Sequence, residues 1–263
     1  MLSYFCQMNL STYLNEGDQL FLPHISVDTV IIGYEQSELK VLLLQFDEKW
    51  TLPGGHVGRE ESVEEAAARI LHERAGLSGQ YLKLFQVFGD RERNFGEEMK
   101  QLFAAAGVPW REDLWINKRH ISIAFYALVD IAKTQPTGGV LMQPFGWHSL
   151  HDLPPMWMDH ATIAEAALTQ LQRDITIEQI SFKLLPVEFT MPQLHQLHEK
   201  ILGKKLERSR FQKKMLGLDI FERLPHIKRS SPGRRPFRYR FKESEASAED
   251  VLPPTGESQR DAG

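Results

Sequence analysis

The sequence predicts an α/β (α+β) fold: a mixed sheet sandwiched between helices, followed by a small module of helices and a hairpin. Three observations carry that expectation. Strand-length apolar runs alternate with amphipathic helical segments through the first two thirds of the 263 residues, the pattern of a layered sheet-and-helix core. A glycine-bounded loop and helix spans Gly55 to Leu77. The charge is sharply divided: residues 199–242 hold 15 Lys and Arg against 4 Asp and Glu, a net +11, while the rest of the chain holds 16 against 31, a net −15. An acidic body joined to a cationic module points to a polyanionic partner for the module.

Composition narrows the class. The hydrophobic fraction of 42% supports a sizeable core over one or two domains. The lone Cys6 excludes a disulfide framework and a cysteine zinc site. There is no run of about 18 apolar residues, so no membrane partner is expected. The N-terminus lacks the charged start and apolar core of a signal peptide, so the cytoplasm is the expected compartment.

In chain order, residues 1–22 read as an N-terminal extension with a short helix at Ser11–Asn15. Residues 23–175 form the body. Ile25–Tyr34 and Leu39–Phe46 are aliphatic, of strand length, and joined by a polar turn. A helix is predicted from Ser62 to Ala75, stopped by Gly76, then a strand from Tyr81 to Asp90. The connection 91–119 is long. Within it Met99, Leu102, Phe103 and Ala106 keep helical spacing before Gly107, and the segment is a lid, a dimer contact or a packed surface excursion. His120–Ala132 is the clearest strand; Trp147 sits in a last short one. Met158–Arg173 is amphipathic, with Ile163, Ala166, Ala167 and Leu171 on one side.

The basic module covers 182–242. Thr190 and Gln193 make a capping box, Leu194, Leu197, Ile201 and Leu202 a stripe, and Gly203 a stop. A second helix, Glu207–Leu216, turns Phe211, Met215 and Leu216 inward and Arg208, Arg210, Lys213 and Lys214 outward. RPFRYRF at 235–241 alternates as a strand does. The Gly/Pro turn before it carries Lys228, Arg229, Arg234 and Arg235. Helix, turn, basic helix and hairpin make a winged helix-turn-helix, in which the second helix enters the major groove of double-stranded DNA and the wing touches backbone. A merely solvated basic face is the bland alternative; the seating of the charges on a helix pair and hairpin favours DNA. Residues 243–263 are polar and Pro/Gly-rich, an expected disordered tail.

The Gly55–Leu77 stretch resembles the Nudix box, G-x5-E-x7-R-E-U-x-E-E-x-G-U with U aliphatic. Gly55, Glu61, Arg69, Leu71, Glu73, Gly76 and Leu77 are in register; Ile70 and Arg74 stand where the pattern has Glu. The resemblance implies an α/β/α sandwich whose box carboxylates hold Mg2+ for pyrophosphate cleavage. Positions 70, 73 and 74 lie near one helix face, and only Glu73 keeps its carboxylate. It is the residual catalytic and metal candidate. Arg69 is expected to pair with Glu65 and Glu73 at i±4. Arg74 is a solvated charge, or a guanidinium holding a pyrophosphate in place of the metal. Arg93 and Arg119, beside the insertion, are further phosphate-binding candidates. His56, His120 and His160 show no metal spacing and read as ordinary polar residues.

Taken with LLPVEFTMPQLHQLHEKILGKKLERSRFQKKMLGL (184–218) and the closing FRYRF, the box makes the chain resemble the Nudix-related transcriptional regulators, a sensing Nudix domain fused to a winged helix. That resemblance implies a homodimer, double-stranded DNA and a phosphorylated effector such as ADP-ribose as partners, and no required cofactor. The alternative is a Nudix hydrolase of nucleoside diphosphate derivatives with Mg2+, its site rebuilt by Glu97 or Glu98.

Overall fold

Two long strands set the frame. β1 (Phe21–Glu35) and β2 (Glu38–Phe46) pair antiparallel. The turn between them holds Gln36 and Ser37 at φ 51° and 64°, the two left-handed residues that match a hairpin turn to strand twist. The computed structural model describes residues 10–105, 107–137, 144–225 and 236–242. Among these, seven strands form one sheet. Its main path runs β3 (Lys49–Thr51), β2, β1, β6 (Ile121–Val129), β5 (Tyr81–Phe88); β4 (Gly54–Gly58) pairs with β1 and β7 (Phe145–Ser149) with β2. β1 and β6 run parallel and every other pair antiparallel, so the sheet is mixed.

Side chains alternate across the pleat, and both faces are covered. Ile31, Leu42, Ala127 and Val129 meet Leu71 and Ala75 of α2 (Val63–Ala75). Val30, Ile32, Val41, Tyr126 and Leu128 share the other core with Ile163, Ala167 and Leu171 of α4 (His160–Ile177). This is the expected α/β/α sandwich. α2 begins with a capping box between Ser62 and Glu65 and ends at Gly76, φ 67°. A left-handed residue at that point satisfies the last carbonyls at little steric cost for glycine.

The N-terminal segment departs from expectation. It is not a loose extension with five helical residues but an eleven-residue helix, α1 (Leu10–Leu20), running straight into β1. Gly17 lies beneath Trp115, where an added Cβ would fall 2.5 Å from the indole. The Trp115 ring nitrogen donates to the Tyr13 carbonyl at 2.9 Å. The insertion is the other half of this contact. Its helix α3 (Gly96–Ala105) buries Leu102 and Phe103, which cluster with Leu114, Ile116 and Trp157, with Tyr13 and Leu14 packed against them. The insertion thus packs against α1 and forms one wall of the body. Ala106, placed in its stripe from spacing, lies outside the described residues.

The C-terminal module forms α5 (Met191–Leu202), α6 (Arg208–Gly217) and a three-stranded sheet ordered β8 (Phe189–Thr190), β10 (Arg238–Phe241), β9 (Phe221–Arg223). Thr190 and Gln193 make the capping box, and Gly203 ends α5 at φ 63°. Phe211 and Met215 of α6 are buried; Leu216 is 41% exposed, against expectation. It follows Met215 by one residue, about 100° around the helix, which turns it off the buried face. The module does not hang from a tether. Its Leu194, Leu197, Ile201, Phe211 and Tyr239 belong to the same apolar cluster as α4 and the sheet. Gln172 of α4 donates to the Ile201 carbonyl at 2.9 Å. No described helix is long and apolar enough to cross a membrane.

Candidate effector cavity and nucleic-acid interface

A cavity of about 300 Å³ opens at the sheet end, between α1, the β3–β4 region, α2 and the insertion. The loop–helix element that builds one wall is held by Arg69, 5% exposed. Its Nε and Nη2 donate to Glu61 at 3.0 and 2.6 Å, Nη2 to the His56 carbonyl at 2.8 Å, and Nη1 faces Glu73 at 3.3 Å. Glu61 in turn accepts from the Gly58 amide at 2.7 Å. Burial alone would lower the pKa of the guanidinium; the bonds and charges of Glu61 and Glu73 outweigh it, and the net direction is upward. Glu65 is not a partner of Arg69, as its spacing suggested, because its carboxylate is taken by the Ser62 amide at 2.7 Å.

Ile70 is 1% exposed and joins Val27, Val57, Ala66 and Phe125 in the core. Its side chain lies under Gly55, whose hypothetical Cβ would sit 3.2 Å from it. Arg74 is half-buried, lines the cavity and donates to the Gly54 carbonyl at 3.4 Å. Glu73 lines the same wall.

The two other arginine candidates fare differently. Arg93 borders the cavity but its guanidinium is engaged elsewhere. It donates to both Asp159 oxygens, at 2.6 and 3.0 Å, and to the Phe88 and His120 carbonyls. Arg93 thus ties β5, β6 and the start of α4 together. Arg119 is held by the carbonyls of Gly89 and Asp90 and is not among the lining residues. Sequence reading missed the aromatic side of the cavity. Tyr13 stacks on His56 at 5.9 Å, and His56 on His120 at 5.2 Å. Burial holds the His56 pKa down at about 3 and also lowers that of His120, so both rings are neutral at pH 7. Alternation on β4 could have aimed His56 inward; nothing local in the sequence pairs it with Tyr13.

In the C-terminal module, Arg208, Arg210, Lys213 and Lys214 are all exposed on α6. None forms a salt bridge with another described residue. The strands behind are neutralised instead: Arg238 pairs with Glu188, Arg240 with Glu222 at 2.7 Å, and Lys242 with Asp219 at 2.7 Å. Lys228, Arg229, Arg234 and Arg235, and the tail 243–263, lie outside the described residues.

Residues 22–167 match the model of the NUDIX domain, more than half of the chain. The chain belongs to the Nudix family. Residues 181–241 match the NrtR DNA-binding winged helix domain, so a Nudix domain is followed by an NrtR-type winged helix. A relative from Acinetobacter baylyi, the ADPR responsive transcriptional repressor NtrR, is 25% identical over 229 residues, 83% of this chain and 82% of its own. The crystal structure of Shewanella oneidensis NrtR complexed with a 27mer DNA aligns with TM-score 0.62 at 24% identity, covering 83% of this chain and 93% of that one. A MutT/nudix family protein from Enterococcus faecalis aligns with TM-score 0.61 at 20% identity, covering 90% and 95%. Both structural likenesses are likenesses of fold.

The Nudix fold implies a magnesium site, and the donor set does not fit one. Mg2+ requires hard oxygen ligands in a near-ideal octahedron. Of the three box positions one is apolar and buried, one is cationic, and Glu73 faces Arg69. Among the described residues no group of three or more His, Cys, Asp or Glu is arranged to hold a metal. Glu97 and Glu98 do not line the cavity; they border a hollow that adjoins it at Gly96 and Asn117.

Proposed function

We propose that this Nudix protein is a ligand-sensing, DNA-binding transcriptional regulator. Its cavity takes a phosphorylated effector, a nucleoside diphosphate or sugar phosphate such as ADP-ribose, and its winged helix takes double-stranded DNA. One observation carries the reading: an arginine stands at a metal-ligand position of the cavity, in a chain whose sheet and α4 share an apolar cluster with a helix bearing four outward cations. A guanidinium presents forked donors to phosphate and stabilises the anion without activating water. The effector is proposed by analogy with the Acinetobacter relative, whose name describes it as ADPR responsive. Arg208, Arg210, Lys213 and Lys214 serve phosphate and base-edge contacts, joined by Lys228, Arg229, Arg234 and Arg235. The chain acts as a homodimer in the cytoplasm, and a two-fold protein reads a palindromic operator.

The test uses the full chain in EDTA. ADP-ribose is expected to raise the melting temperature, and a duplex selected from a random pool is expected to bind with log affinity falling linearly in log salt. Sedimentation is expected to give twice the chain mass. Release of AMP from ADP-ribose with added Mg2+, abolished by Glu73→Gln, would restore the hydrolase reading; failure to select any duplex would remove the regulator.

A further inference from the structure

A cavity suited to an anionic effector should be poor in carboxylates, yet besides Glu73, which Arg69 neutralises, a second is built into its floor. Asp28 of β1 lines the cavity and is 7% exposed. It lies opposite Gly54 in the β1–β4 ladder. An added Cβ on Gly54 would fall 2.5 Å from Asp28 Oδ1, so the absence of a side chain there is what lets the carboxylate lie across the strand. Asp28 Oδ2 accepts a hydrogen bond from the Ser122 hydroxyl of β6. His160 accepts from the Leu52 amide at its Nδ1, at 2.9 Å, so its Nε2 carries a proton and faces Oδ1 from 3.9 Å, beyond hydrogen-bond length. One carboxylate oxygen is thereby anchored, while the other accepts no hydrogen bond from a described residue and belongs to a side chain that lines the cavity. On the far side of the same glycine, the Gly54 carbonyl accepts from Arg74. A cation and a buried acceptor therefore flank a single residue.

A phosphate seated at Asp28 would be repelled; a neutral donor would be held by a charge-assisted hydrogen bond. We infer that Asp28 is a specificity-determining residue of the effector cavity: it accepts from a hydroxyl or amino group carried close to the phosphate that Arg74 holds, and it selects phosphorylated polyols and glycosides over bare phosphoanhydrides. Ser122 is its positioning residue, and Gly54 makes the space. The inference rests on the effector reading above and assigns that site its selectivity.

Two probes separate the roles, ADP-ribose, which carries sugar hydroxyls beside its phosphates, and inorganic pyrophosphate, which carries no sugar. Both are titrated calorimetrically into the full-length wild type and Asp28→Asn, with circular dichroism as the check of folding. The expected result is a split in sign. Asp28→Asn weakens ADP-ribose by roughly fivefold or more, the range for exchanging a charge-assisted hydrogen bond for a neutral one. It tightens pyrophosphate, because a negative charge has left the cavity. Gly54→Ala, which displaces the carboxylate while keeping it, is the second variant and is expected to weaken ADP-ribose likewise. ADP-ribose affinity unchanged in both variants, or both probes weakened together, overturns the assignment of Asp28. A wild type that binds neither probe overturns the effector reading itself.

Discussion

Arg69 is the residue on which the box depends. It is buried with two carboxylates and a backbone carbonyl around it. Arg69→Ala leaves Glu61 and Glu73 without their cation, and removing one partner of a buried pair costs about 3–5 kcal/mol; chemical denaturation measures it. Ile70 gives the opposite lesson. Ile70→Glu, the change that would return the box to its pattern, puts an unpaired carboxylate at a position 1% exposed. It is expected to destabilise the fold by roughly 3 kcal/mol or more, far above the typical point mutation. Histidines set the acid limit. Burial holds the His56 pKa at about 3 and that of His198 at about 4. The unfolded chain binds protons on these rings below about pH 6.5, where the folded chain does not, so stability is full above that pH and falls as pH drops towards 4. The melting temperature should decline from pH 7 to pH 4.5, with a shallower decline in His198→Gln; equal slopes would remove His198 from the account. At this scale the sequence told part of the story. Box spacing located Glu61, Arg69, Glu73 and Arg74. The engagement of Arg93 with Asp159 joins residues 66 positions apart, and no local pattern reports such a pairing.

Elements were the most legible level, because capping and periodicity are local physics. Thr190 and Gln193 around α5 form the capping box their spacing announces, and the helix predicted from Ser62 proves to be capped the same way by Ser62 and Glu65. Thr190→Ala should cost about 1 kcal/mol by the same denaturation measurement. α1 is longer than its sequence suggests. Its polar residues weaken the apolar stripe, and what holds it is Trp115, distant in sequence and closely fitted to Gly17. Leu216 errs the other way, since an apolar residue one step past the stripe need not be buried. The outward face of α6 makes an element-scale prediction. Arg210→Ala and Lys213→Ala should each weaken duplex binding and flatten the slope of log affinity against log salt, by about 0.9 for each phosphate that is no longer neutralised. An unchanged slope in both would move the DNA-binding surface off α6.

The two units of the molecule share one apolar core. α4 begins at the cavity, where Asp159 meets Arg93 and His160 meets Leu52, and reaches the winged helix about 18 Å later, at Gln172. There Gln172 bonds Ile201, and Asp174 and Glu178 bond Tyr126 and Tyr81 of the sheet. A charge split within the sequence pointed to two modules; it could not show that they are fused, since shared burial is a property of tertiary packing. Fusion predicts a single thermal unfolding transition seen by calorimetry, in place of two separated ones. It also gives a path by which differential binding at one site biases the other. The most direct test is reciprocal. The affinity of the full-length protein for its selected duplex is measured with and without saturating ADP-ribose, and the affinity for ADP-ribose with and without saturating duplex. Linkage requires the two affinities to change by the same factor, several-fold or more. Two binding events that each proceed with unchanged affinity in the presence of the other would contradict the account.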